Sequence, residues 1–251
     1  MNLIIISDIN ENQEIVQELK EQIKLEKLGR DNIILITGGL GFYSSEREKN
    51  YLDNIKKCLK ELLEISSNIV YVTGDTDKKD LDLQMSSVTN VHDNHIVLNT
   101  SSGKIGIFGY GGAPNFSIRK NNLKYFPNLW DEKLIGDEIK KSLKISYEKV
   151  RFSNPDFVIF LTHSPPYNFA DFSRELSFDN SISLGDFSEE KSSSELKDKK
   201  RKSTNPKHLG SKTISWFIKE HLIDFFFCDH INKEGGKCLR LIIHFYLVFL
   251  I

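Results

Sequence analysis

Phe157-Val158-Ile159-Phe160-Leu161-Thr162-His163-Ser164-Pro165-Pro166 runs five apolar residues into a hydroxyl, an imidazole and two prolines. It reads as a buried strand, Phe157 to Leu161, that ends in a loop presenting His163. Each proline fixes its own φ and pushes the residue before it away from helix, so the loop is stiff where the imidazole emerges. Open α/β sheets place their ligands outside the carboxyl ends of their strands, which makes a rigid histidine there a candidate ligand. Alone, such a histidine is more often a surface or hydrogen-bonded residue.

Upstream, Asp131 to Val150 sets Leu134, Ile135, Ile139, Leu143 and Tyr147 at helical spacing. Before that helix, His95 to Thr100 and Lys104 to Gly109 are short strands joined by Ser101-Ser102-Gly103, a hairpin signal. The second strand enters Gly109-Tyr110-Gly111-Gly112-Ala113-Pro114. No Gly-Lys-Ser/Thr helix start follows, so this is a tight, close-packed loop near a site rather than a phosphate cradle.

The N-terminal third alternates. A strand, Met1 to Ile6, precedes a helix within Asn12 to Leu28 that lines up Ile15, Val16, Leu19, Ile23 and Leu28. A second strand, Asn32 to Ile36, turns at Thr37-Gly38-Gly39-Leu40. A helix from about Glu46 shares Tyr51, Ile55, Cys58, Leu59, Leu62 and Leu63 on one face, and a third strand, Asn68 to Thr73, runs into Gly74-Asp75-Thr76-Asp77. The order β-α-β-α-β calls for a parallel sheet with right-handed crossovers.

Downstream of His163, residues 170–207 are rich in Ser, Asp, Glu and Lys and read as a polar, disordered insert. Its basic run, Lys197 to Lys202, follows acidic residues and reads as a solvated face. Ser211 then caps a helix through Leu222 that buries Ile214, Phe217 and Ile218. A last clear strand, Ile223 to Cys228, ends at Asp229-His230-Ile231-Asn232.

The formal net charge of -1 removes the basic footprint of a nucleic-acid binder. Cys58, Cys228 and Cys238 form no Cys-x-x-Cys pair, so a reducing, cytoplasmic setting is expected. The N-terminus has no basic region before its apolar run and does not read as a signal peptide. The apolar tail 239–251 contains Arg240 and His244 and falls short of the roughly 20 residues that span a bilayer, so no membrane partner is expected. That tail is either a last buried strand pair or a frame-shifted end. One domain over 1–251 is expected, and the sequence carries no signal of oligomeric state.

Five strand ends thus carry Ser7-Asp8-Ile9-Asn10, Gly38-Gly39, Gly74-Asp75-Thr76-Asp77, Thr162-His163 and Asp229-His230-Ile231-Asn232. Carboxylates, amides and imidazoles gathered at one edge suit a divalent cation. In motif order and spacing the chain resembles the calcineurin-like metallophosphoesterase family from Met1 to about Lys237. That family reads Asp-x-His, Gly-Asp, Gly-Asn-His-Asp/Glu, a strand-end His and Gly-His-x-His. The stretches Leu161 to Pro166 and His208-Leu209-Gly210-Ser211 are similar to a small archaeal branch of it. The resemblance implies an α/β fold, a four-layer α/β/β/α sandwich with two metals at the strand ends, and hydrolysis of phosphomonoesters or phosphodiesters.

The departures from the family pattern limit that activity. Asn10 stands at a His ligand position, Gly39 at the bridging Asp and Asn232 at the second His of the last motif. Asp75 replaces the amide ligand, Asp229 replaces a Gly, and Thr76 replaces the catalytic His, beside which Asp77 is kept. By resemblance Asp8, Asp75, His163 and His230 are the metal positions, and Thr76 and Asp77 mark the catalytic acid. Two-metal hydrolysis needs a bridging carboxylate, which a glycine cannot supply. At most one ion, Mn, Zn or Fe, is expected, held by Asp75, His163 and His230; the alternative is that these three form a hydrogen-bonded relic. Two functions follow: a metallophosphoesterase-like hydrolase of small phosphorylated molecules with impaired dinuclear catalysis, or a catalytically inactive relative serving as a binding or scaffold module.

Overall fold

The periodicities resolve into strands and helices in a computed structural model that describes residues 1–26, 31–115, 126–168, 172–173, 207–208, 210–229 and 240–243. In chain order these are β1 (Asn2–Ile6), α1 (Gln13–Leu25), β2 (Asn32–Ile36), α2 (Glu48–Leu62), β3 (Asn68–Tyr71), β4 (Val88–Asn90), β5 (Asn94–Thr100) and β6 (Gly103–Tyr110). There follow β7 (Ala113–Pro114), β8 (Leu129–Trp130), α3 (Glu132–Phe152), β9 (Phe157–Thr162), β10 (Phe172–Ser173), β11 (Lys207–His208), α4 (Lys212–Glu220), β12 (Phe225–Phe227) and β13 (Arg240–Ile243). Side-chain oxygens start three of the helices. Asn12 accepts from Glu14 N and Ile15 N, Asp131 from Lys133 N, and Ser211 from Ile214 N.

Two sheets result. One has the order β13-β1-β2-β3-β4, parallel from β1 to β4, with β13 antiparallel on β1. The other has the order β12-β9-β6-β5, where β12, β9 and β6 are parallel and β5 pairs back on β6 through the expected hairpin.

Strand alternation assigns each apolar residue to a layer. Ile4, Ile6, Ile34 and Ile36 pack with Val16, Leu19 and Ile23 of α1 and with Tyr51, Ile55 and Leu59 of α2. Their neighbours Leu3, Ile5, Ile33 and Leu35 face the other way, against Ile105, Ile107, Ile159 and Leu161 of the second sheet. On that sheet's far face Phe108, Val158 and Phe160 meet Ile139, Leu143 and Val150 of α3 and Ile214 and Phe217 of α4. Three cores between four layers make the α/β/β/α sandwich that the resemblance implies. Strands buried on both faces read as unbroken apolar runs, which is why β1, β2 and β9 were legible.

The ends differ from expectation in definite ways. The helix α4 stops at Glu220, because His221 is extended (φ -130) and its ring bonds Phe217 O at 3.0 Å. The strand β12 is short: Asp224 closes its entrance, its N donating to Val158 O at 3.1 Å and its carboxylate accepting from Val158 N at 2.7 Å. An additional parallel strand, β4, extends the first sheet beyond β3. Of the polar stretch 170–207, Phe172–Ser173 pairs antiparallel with Lys207–His208; of the apolar tail 239–251, Arg240–Ile243 forms β13. The remainder of both stretches, with His230, Asn232 and Cys238, lies outside the described residues. Among the described residues no helix is long and apolar enough to cross a membrane.

Candidate functional site

The loop leaving β1 is the most strained backbone near the site. Asp8, Asn10 and Glu11 all have positive φ (53, 51 and 59), each costing on the order of 1 kcal/mol. Hydrogen bonds hold it there, from Asp8 N to Gly38 O (3.1 Å), Asn10 N to Gly39 O (2.9 Å) and Glu11 N to Leu40 O (2.8 Å). The Glu11 carboxylate also accepts from Phe42 N at 3.2 Å and Asn54 Nδ2 at 3.0 Å. The β1 and β2 loops are therefore laced together well beyond their strands.

Glycine is required at the centre of this lacing. Gly38 has φ 110, and a Cβ there would stand 2.5 Å from His163 Nδ1. Gly39 has φ 68, and a Cβ there would overlap the Asp8 carboxylate. The loop after β2 is thus pressed between Asp8 and His163.

Asp77 latches the same loop to the next one. Its buried carboxylate accepts from Leu40 N (3.1 Å), Gly41 N (2.8 Å), Gly74 N (2.6 Å) and Tyr51 Oη (3.3 Å). The Thr76 hydroxyl donates to Gly41 O at 2.9 Å. Thr76 and Asp77, which the resemblance marks as the catalytic-acid positions, therefore both engage the loop scaffold.

His163 joins the two sheets. Its Nδ1 lies 2.8 Å from Thr37 O, a carbonyl that only accepts, so Nδ1 carries hydrogen. Its Nε2 lies 3.4 Å from Asp75 Oδ1. Burial pushes its basicity down, but hydrogen bonding and charge from Asp75, with Thr37 O and the Asp8 charge, outweigh burial and lift it to about 9. The ring is an imidazolium at neutral pH. A second cross-sheet link runs from the Ser7 hydroxyl to the Asp229 carboxylate, and Asp229 N donates to His163 O at 3.1 Å. Burial first, and then the neighbouring Asp229 charge, raise Asp8 to about 6, against the lowering effect of His163.

The structure thus brings Asp8, Gly39, Asp75, His163 and Asp229 to one edge, and places Asn10 along the β1 loop. Among the described residues no group of three or more His, Cys, Asp or Glu side chains is set to hold a metal ion. The described donors do not fit a two-ion centre, since Asp8 fills the space at Gly39. For one ion they supply Asp75 and, only once its Nε2 proton is lost, His163.

Sequence reasoning did not single out His92 or Asn128. Asn128 is buried; its Nδ2 donates to Thr73 Oγ1 and Gly74 O, both at 2.9 Å, and its N to Asp75 O at 3.3 Å. His92 follows β4 and accepts at Nδ1 from Gly111 N at 2.8 Å. A β-branched pair, Val88-Thr89, running to a polar turn was the available signal for β4.

No protein-family model and no curated protein matches the chain. Similar solved structures include TT1561 of Thermus thermophilus, at 13% identity over 67% of this chain and 70% of that one, with a TM-score of 0.43. A phosphopantetheinyl hydrolase from Mycobacterium tuberculosis is similar at 14% identity over 65% and 68%, TM-score 0.33. A phosphatase from Mycoplasma pneumoniae is similar at 14% identity over 70% and 68%, TM-score 0.31.

Proposed function

We propose that the chain is a metallophosphoesterase-like hydrolase of small phosphomonoesters or phosphodiesters in which dinuclear catalysis is impaired. The observation that carries this reading is the meeting of Asp8, Asp75, His163 and Asp229 at one edge across both sheets, within a four-layer sandwich. The motif order supports it. Without an ion, the buried His163 imidazolium, oriented by Thr37 O and Asp75, offers positive charge to a phosphoryl oxygen; an ion at that position would take the place of its Nε2 proton. One divalent ion, Mn, Zn or Fe, is the most the donor set supports, at Asp75, His163 and His230; when bound, it would polarise a phosphoryl oxygen. With Thr76 bonded to Gly41 O, leaving-group protonation is weak, a loss of about 10²–10⁴-fold where general acid help is absent.

Metal content and hydrolysis of aryl phosphate mono- and diesters with added Mn or Zn test the reading. Slow, metal-stimulated turnover above a His163→Ala control is expected. Turnover equal to that control sinks the hydrolase claim.

A second reading, an inactive relative used as a binding or scaffold module, draws on one observation: the Asp8 carboxylate takes the volume of any side chain at Gly39. It predicts phosphate binding with no turnover in any metal.

A further inference from the structure

We propose that His92 is an anion-contacting residue of the strand-end site, its Nε2–H donating to a phosphate oxygen. The placement comes from topology. β4 runs parallel to β3, so His92, just beyond Asn90, emerges on the edge where Asp8, Gly39 and Asp75 lie. Its N donates to Asn90 Oδ1 at 2.8 Å, and its ring rests on Tyr110 with centroids 4.8 Å apart.

Neighbouring donors fix the tautomer. Gly111 N–H can only donate, and it points at Nδ1 from 2.8 Å. Nδ1 must therefore offer a lone pair, and the ring proton sits on Nε2. The Thr73 hydroxyl, 3.4 Å from the same Nδ1, fits this polarity, because Asn128 Nδ2 already donates to Thr73 Oγ1 and leaves its proton for His92. Gly111 is glycine of necessity here, since a Cβ would stand 2.6 Å from Nδ1. Nε2 has no hydrogen-bond partner among the described residues, and it is not one of their buried orphan atoms. It faces solvent.

The same network ties this ring to the site. Asn128 bonds Thr73, Gly74 O and Asp75 O together, so the imidazole and the Asp75 loop are held as one piece. Burial, helped by Lys79 and opposed by Asp80, lowers His92 to about 4; it stays a neutral donor across physiological pH. A neutral N–H that donates to an oxyanion adds a hydrogen bond without adding a second cation to the site. A phosphomonoester or phosphodiester oxygen is the matching ligand chemistry. The inference rests on the phosphoester reading above.

Inorganic phosphate is the probe, and imidazole ¹⁵N spectra of the wild type are the first readout. The expected result is an Nε2–H tautomer at His92 from pH 6 to 8, whose Nε2 resonance moves with the His163 ring as phosphate is added. His92→Ala should weaken phosphate binding about tenfold, and His92→Gln, which keeps a donor, should restore it to within about threefold. An Nδ1–H tautomer, or a titration that moves His163 and leaves His92 still, overturns the proposal without any variant having to fold. A titration that moves neither ring removes the phosphoester reading, and this inference with it.

Discussion

The carboxylate of Asp8 occupies the space that a side chain on Gly39 would need. Position 39 is therefore committed to glycine by its neighbour as well as by its positive φ of 68. Gly39→Ala is expected to destabilise the protein by about 2 kcal/mol or more, read by urea unfolding. Asp8→Gly in the same chain should recover part of that loss. Strict additivity of the two changes would show that the residues do not compete for space.

Asp77 is the next place to cut. Its carboxylate serves Leu40 N, Gly41 N, Gly74 N and Tyr51 Oη at once. Asp77→Ala strands these buried donors and should cost about 3 kcal/mol. Asp77→Asn, which keeps one acceptor oxygen, should cost less. A melting temperature unchanged in both variants would contradict the latch.

Two of the perturbed groups near the site, His92 and Asp8, give opposite pH signatures, measured in EDTA. His92 is lowered from 6.5 to about 4. Between those values the unfolded chain binds more protons, so stability falls as pH drops from about 6.5 toward about 4. His92→Gln should flatten that acid limb.

Asp8 is raised from 3.8 to about 6. Between these values the folded chain binds more protons, so stability falls as pH rises through the window. Asp8→Asn is expected to be more stable than wild type above pH 6 and to lose that advantage below pH 4. An advantage independent of pH would place its cause elsewhere.

Glu132 opens α3 yet caps α4, its Oε1 accepting from Thr213 N at 2.9 Å and from the Ser211 hydroxyl at 2.6 Å. Glu132→Ala should cost about 1 kcal/mol, with Glu132→Gln intermediate. Equal stability of all three proteins would remove this joint between the helices.

The apolar runs announced β1, β2 and β9, and helical spacing announced α1 to α3, because those elements bury side chains at fixed periods. Short polar β4 has no such period; its three residues are only part-buried. The edge of the sandwich was legible from Asp8, Asp75 and His163 as a series, since polar residues recur after one strand end after another. What those side chains do there was not legible. Asp77 reads in the sequence as a retained acid and sits in space as an acceptor for loop amides, since a list of residues does not say which backbone donors converge. Nor could glycine at 39 announce that Asp8 leans into its place.

Ser7 and Asp229 touch across 222 residues of chain, and β1 is flanked by β2 on one side and β13 on the other. β1 thus waits for segments made more than 200 residues later to receive its second neighbour and its cross-sheet bond. Closing so long a loop is entropically costly and slows folding. Until it closes, nascent β1 has a free edge on which a foreign strand can pair, so the order of synthesis leaves this edge unprotected through the making of everything between β1 and β13.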